Sequence, residues 1–419
     1  MTTELRVLSQ PDWDRWFDGI LRAFGEVEPG ERELYRGLTE LERSIAAWDG
    51  EQIVGSASTL SFRMTVPGGA AVPSAALSMV HVSATHRRRG ILRAMMRRQL
   101  EDVRAAGNEP LAILTASEPH IYGRFGYGMA TRQLDADIDT THVTLRVPPA
   151  SDGIRLRTAA DADSVRDECE SVYARRVTAR PGMLLRAPGW ERYPLLDVPE
   201  DRDGATALAC VLAEDESGEV RGYARYAVKS DWDDHHVARG SVLLRDLEAL
   251  DTASYGALWR YLFGIDLMPV LKVRGRPVDD PWLHMIGDNV RRCRPHWRDS
   301  LFLRPVDVGA ALEARTYSSP IDVVLEVEDG FCPWNAGRWR LSGDARGATC
   351  ERTQDAADLA LSVRELGAAY LGGTTLRVLS QAGRVDELRE GSLSAASGAS
   401  SASWGSITSR STRCAPAGS

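Results

Sequence analysis

Ala76-Leu77-Ser78-Met79-Val80-His81-Val82-Ser83-Ala84-Thr85-His86-Arg87-Arg88-Arg89-Gly90-Ile91-Leu92 is the stretch from which the rest of this 419-residue chain can be read. Leu77–Val82 has strand character. Beyond Gly90, Ile91, Leu92, Met95, Met96, Leu100 and Val103 recur at helical spacing, and Arg93, Arg97, Arg98 and Arg104 fall mostly on the other side. Gly107-Asn108 stops that helix. A helix start carries unsatisfied N–H donors and the positive end of the macrodipole, so a basic turn at Arg87–Gly90 suits a phosphate. Gly90 allows an anion to approach the backbone closely.

The chain has no Gly-x-Gly-x-x-Gly and no Gly-Lys-Ser/Thr, so a nucleotide fold is not indicated, and coenzyme A is the pyrophosphate the pattern favours. A second run sharpens this. After the apolar strand Leu111–Ala116 comes Ser117-Glu118-Pro119-His120-Ile121-Tyr122-Gly123-Arg124-Phe125-Gly126-Tyr127-Gly128. Thr-His-Arg-Arg-Arg-Gly followed by Ile-Tyr-Gly-Arg-Phe-Gly-Tyr-Gly resembles the enhanced intracellular survival (Eis) family of GNAT acetyltransferases, although Leu92 departs from the last small residue of the GNAT motif.

The resemblance implies an α/β (α+β) fold of tandem GNAT domains followed by a sterol-carrier-protein-like domain. We place a catalytic GNAT domain at 1–150, a degenerate GNAT-like domain at 151–297, a sterol-carrier-like unit at 298–390 and a low-complexity tail at 391–419. In the first unit, a strand at Leu5–Leu8, a helix with Trp13, Trp16, Phe17 and Ile20, a hairpin at Asp49-Gly50 and a turn at Pro67-Gly68-Gly69 lead to the quoted strand. The second repeats strand, acidic cap and helix from Ile154, but its junction Glu248-Ala249-Leu250-Asp251 lacks the arginines and glycine, so no cofactor of its own is expected. Leu301–Pro305 opens the third.

The tail from Gly391 has ten serines, no acid and one aromatic residue, Trp404, and shows neither helical nor strand periodicity. It reads as disordered, and the abrupt change as an altered reading frame near residue 391. Relatives end instead in a packed helix and a terminal carboxylate that enters the active site.

By the same resemblance, acetyl-CoA is the acetyl donor and no metal is required. Val80 and Val82 hold the pantetheine through backbone hydrogen bonds, Arg87, Arg88 and Gly90 take the pyrophosphate, and Ser117 lies beside the cofactor. Tyr122 is the general acid, with Tyr127 its rival; a phenol of reference pKa about 10 matches a departing thiolate. The terminal carboxylate, here Ser419, is the position of the base, but a Ser/Ala/Gly tail has few anchors to offset about 1–2 kcal/mol of backbone entropy per residue. Glu26 and Glu28, which also read as ordinary solvated acids, form an acidic lip for a cationic amine, and Phe24, which also reads as core, adjoins it as a substrate-binding candidate.

Other residues read as structural: Arg89, Arg93 and Arg97 as a solvated helix face, His81 as packed, His86 as a cap or surface residue, Trp13 and Trp48 as core, and His235-His236 as no metal site. A net charge of −8 argues against nucleic acid and suits cationic substrates. There is no signal-peptide or membrane-span pattern, and six scattered cysteines without C-x-x-C indicate neither zinc nor disulfides, which together suggest a cytoplasmic protein. The expected function is N-acetyl transfer to a polycationic acceptor, aminoglycoside-like or protein lysine, in a ternary complex. The alternative is a non-catalytic, acetyl-CoA-binding or structural relative that lost activity with its altered C-terminus. Family likeness also implies a homo-hexamer built as a trimer of dimers.

Overall fold

The computed structural model describes residues 3–25, 29–287 and 289–400. The chain begins with β1 (Glu4–Val7), α1 (Trp13–Phe24), α2 (Pro29–Leu38), β2 (Ser44–Asp49), β3 (Gln52–Thr65), β4 (Ala71–Val82), α3 (Ile91–Ala106) and β5 (Leu111–Thr115). This is the order expected of a GNAT domain. Trp13, Trp16, Phe17 and Ile20 put one face of α1 into the core, each such side chain contributing on the order of 1.5–3 kcal/mol. The Trp13 indole donates to Thr39 at 3.1 Å, so it is core, as is Trp48.

After β6 (Gly128–Met129) and β7 (Arg132–Asp139), a second unit runs through β8 (Arg155–Ala159), α4 (Arg166–Val177), β9 (Leu184–Leu185), β10 (Ala209–Glu214), β11 (Val220–Lys229), β12 (Ser241–Ala249), α5 (Thr252–Phe263), β13 (Val270–Pro277), α6 (Trp282–Met285) and β14 (His296–Asp299). Then come β15 (Leu301–Pro305), α7 (Val308–Glu313), β16 (Ile321–Glu328), β17 (Gly337–Asp344), β18 (Gly347–Arg352), β19 (Leu359–Ser362), α8 (Val363–Ala369), α9 (Leu376–Gln381), β20 (Val385–Glu387) and α10 (Ser392–Ala399).

Three sheets result, and the strands do not respect boundaries at 150 and 298. The first has the order β1-β2-β3-β4-β5-β15-β6, with β9 added to β3; the second is β14-β7-β13-β12-β11-β10-β8; the third is β18-β17-β16-β19-β20. Thus β7, expected in the first unit, belongs to the second sheet, and β15, expected to open the third unit, is antiparallel to β5 in the first. All five residues of β15 are buried, so their apolar run carried no alternation to say which sheet they join. One core cluster accordingly spans Val72, Leu111 and Ile113 of the first sheet and Leu325, Leu361, Leu366 and Tyr370 of the third unit.

The reading of Gly391 onward as structureless is corrected over its first ten residues. Helix α10 packs Ala396 and Ala399 into that same core, and the Ala399 carbonyl accepts the Ser318 N–H at 3.0 Å. Small residues let α10 sit close to α9, a kind of packing that leaves no large apolar residues for a periodicity search to find. Truncation at 391 would therefore remove core, not a loose tail. Residues 401–419, including Ser419, and the lip residues Glu26 and Glu28 lie outside the described residues. Among the described residues no helix is long and apolar enough to cross a membrane.

Candidate active site

The site begins where β4 leaves β5. The two run parallel over only three residues, Ser74–Ala76 opposite Leu111–Ile113, after which β5 continues against β15 on its other side. From Leu77 to Val82, β4 stays bonded to β3, and among the described strands none pairs with its β5-facing edge. A bulge marks the divergence. The register shifts between Ser56 and Ser58, Met79 takes φ +53°, and the Ser56 hydroxyl donates to the Met79 carbonyl at 2.8 Å. Bulges bend and twist a strand away from its neighbour, and a buried methionine in the left-handed region needs such support.

Val80 and Val82 are half-buried against α3, packing with Ile91 and Met95. His81 faces the other way, to α1: a Cβ added at Gly19 would sit 3.6 Å from its ring. Burial, aided by the Arg22 and Arg87 charges, pushes its imidazole down to about 4, so it is neutral near pH 7.

Past β4 the chain makes the basic turn. Arg88 has φ +63° and Gly90 φ +83°, and Gly90 heads α3 with no side-chain cap. Left-handed residues interspersed in a turn fold successive N–H groups into a concavity suited to an anion. Open space surrounds Gly90, where a Cβ would meet nothing within 4 Å. Arg87, Arg88 and Arg89 are exposed, and none pairs with a carboxylate among the described residues. His86 does not share that exposure: its Nε2 lies 3.0 Å from the Asp49 carboxylate, tying the turn to the β2–β3 hairpin.

The reading of Arg93 and Arg97 as a purely solvated face is corrected. Their guanidiniums lie 5.4 and 4.4 Å from the centroid of the Phe331 ring in the third unit, and Arg104 lies 4.7 Å from that of Trp334. Sequence reasoning missed these partners, which lie more than 200 residues further along the chain.

On the far side of the opening, Ser117 is exposed just past β5, and Pro119–Phe125 forms a 3-10 turn carrying Tyr122. Tyr122 is half-buried and packs on the cluster that Val80 also flanks, which brings the loop to the open strand edge. Its ring meets Tyr127 edge-on at 6.2 Å. The two phenols differ in setting. Tyr127 is 2 % exposed, and burial pushes its hydroxyl far above the ordinary phenol range, whereas Tyr122 keeps part of its surface open. Phe24, at the end of α1, packs against the Trp13 cluster.

The strand edge that opens at a bulge and runs into a basic turn at a helix start is the arrangement expected of a GNAT domain. A family described as Acetyltransferase (GNAT) domain matches residues 4–130, a second with the same description matches 182–305, and a Sterol carrier protein domain matches 308–406. An N-acetyltransferase described as uncharacterized from Streptomyces avermitilis is 61% identical, covering 95% of this chain and 97% of its own. The N-acetyltransferase Eis of Mycobacterium tuberculosis is 34% identical over 92% of this chain and 93% of its own. The chain belongs to the Eis family of N-acetyltransferases. Eis1 from Mycobacterium abscessus superimposes on this Eis-family enzyme with a TM-score of 0.81 at 33% identity, covering 96% of this chain and 98% of the other. The sterol-carrier match also runs beyond Glu390 to residue 406, so the resemblance does not stop where the composition changes.

Proposed function

We propose that this enzyme transfers acetyl from acetyl-CoA directly to an amine of a polycationic acceptor, aminoglycoside-like or a protein lysine, within a ternary complex. The observation that carries the reading is the unpaired Leu77–Val82 edge running into the uncapped, arginine-rich start of α3. That edge suits a pantetheine arm, with peptide groups at Val80 and Val82 as its hydrogen-bond partners. Arg87, Arg88 and the N–H groups around Gly90 suit the pyrophosphate, and Ser117 lies at the end of the adjoining strand.

Acetyl-CoA, when bound, supplies the thioester and its thiolate leaving group. Tyr122 supplies the proton for that sulfur from a part-open setting, whereas burial pushes the Tyr127 hydroxyl far above the ordinary phenol range, which favours Tyr122. Val80, Ile121 and Tyr122, partly buried on one apolar cluster, give the proposed reacting centre an apolar flank. A net charge of −8 favours a cationic acceptor. Cytoplasmic action and assembly as a hexameric trimer of dimers belong to the same proposal.

The test is thiol release from acetyl-CoA across a panel of amines that includes kanamycin, polylysine and neutral amines. Release that depends on the polyamines supports the reading. Release with neutral amines alone removes the polycationic acceptor, and acetyl-CoA binding without release from any amine sinks the proposed reaction.

A further inference from the structure

The loop that carries Tyr122 does not stand on its own domain. Arg304, on β15, is wholly buried; its guanidinium donates to the Phe125 carbonyl and to the carboxylate of Asp329, a buried residue of the third unit. Asp329 is itself fixed. Its Oδ1 accepts the N–H groups of Phe331 and Cys332 at 3.2 and 2.8 Å, and the Asn335 amide donates at 3.1 Å to Oδ2, the oxygen that faces Arg304.

Glycines bring the loop into backbone contact with this support. A Cβ at Gly126 would lie 1.7 Å from the Arg304 guanidinium, one at Gly128 2.0 Å from the Arg364 carbonyl on α8, and one at Gly367 of α8 2.2 Å from the Leu303 carbonyl. Phe125 meets Phe331 edge-on at 5.0 Å. A loop seated this way has its backbone set by β15 and the third unit together.

We propose that Asp329, acting through Arg304, is a positioning residue for acetyl transfer, and that the sterol-carrier-like unit serves as the rigid seat of the Tyr122 loop. The inference rests on the reading of Tyr122 as proton donor. A donor displaced by about 1 Å costs up to about 10²-fold in rate while leaving donor binding at the α3 turn intact.

Asp329→Asn keeps the shape but removes the charge opposite Arg304 and sets an amide NH2 where Arg304 and Asn335 donate, and Gly367→Ala presses α8 away from the Leu303 carbonyl without removing either member of the ion pair. Each should lower kcat by about 10- to 100-fold with KM for acetyl-CoA changed less than about twofold. Each should also speed hydrogen exchange in 121–128 while the second sheet keeps its protection. If Asp329→Asn does not fold, Gly367→Ala carries the test. A folded variant with unchanged kcat and unchanged exchange in 121–128 overturns the proposal, as does uniform loss of protection with kcat and KM worsened alike. If Tyr122→Phe leaves kcat intact while Asp329→Asn lowers kcat and loosens the loop, the donor assignment fails and the seat stands.

Discussion

At the start of α3 the chain presents Gly90 at φ +83° with no side-chain cap, whereas at the equivalent start of α5 the Asp251 carboxylate accepts the Ser254 N–H at 2.8 Å and takes the Arg221 guanidinium at 3.2 Å. The strands before these helices differ in the same sense. β4 parts from β5 and leaves its edge open. β12 pairs with β13 over Ser241–Leu244, and beyond that point the buried Arg276 guanidinium donates to the Leu247 carbonyl at 2.7 Å and to Asp280 at 2.6 Å. Tyr255 closes the far side by donating to Asp280. One topology therefore yields an open seam or a solid wall according to whether the protein's own side chains fill it. A carboxylate at a helix start satisfies the same donors a phosphate would, and it does so permanently.

Gly90→Asp should break the contrast most severely, because it places in the first seam the group that closes the second. Acetyl-CoA binding, followed by calorimetry, should be lost, while the fold survives with a modest penalty for a non-glycine residue at positive φ. Retained affinity in a folded variant would remove the pyrophosphate from this turn.

Tyr122→Phe comes next. Steady-state kinetics should give kcat lower by roughly 10²-fold or more with acetyl-CoA affinity little changed. Tyr127→Phe, which removes a buried hydroxyl, should act mainly on stability; the reverse pattern would exchange the two roles.

In the second seam the effects should be on stability alone. Arg276→Met leaves Asp280 as an uncompensated buried charge and should cost about 3–5 kcal/mol in denaturant unfolding. Asp251→Ala removes a helix cap and should cost about 1 kcal/mol. Neither should alter KM for acetyl-CoA, and a change in KM from either would couple the two seams.

A further effect concerns pH. His81 titrates near 4 in the folded chain and near 6.5 when unfolded. Between those values the unfolded chain binds more protons, so stability rises with pH across that window and falls as the solution is acidified. His81→Gln should flatten this acid limb of a melting-temperature profile; an unchanged slope would show that the ring is not desolvated.

The Arg-Arg-Arg-Gly turn, the helix after it, the strand before it and the GNAT order of elements were all legible in the sequence, because each rests on neighbours a few residues apart. The glycines of Ile121–Gly128 carried the family resemblance without saying what packs against them. That partner proved to be Arg304 and α8, far along the chain. Likewise Ser-Ala-rich α10 gave no periodic signal, since its burial comes from small side chains set against α9 and the third sheet.

By itself the sequence determined the family, the strand-turn-helix unit and the residue types at the anion turn, because capping, glycine conformations and apolar spacing are local properties of the chain. Only the tertiary structure decided which sheet β7 and β15 join, that Met79 adopts a left-handed bulge, that the second seam is filled by Arg276, and that Arg93 and Arg97 meet Phe331. The reason is physical: a buried strand or a lone arginine has several partners of similar energy, and the choice among them falls to packing between segments hundreds of residues apart.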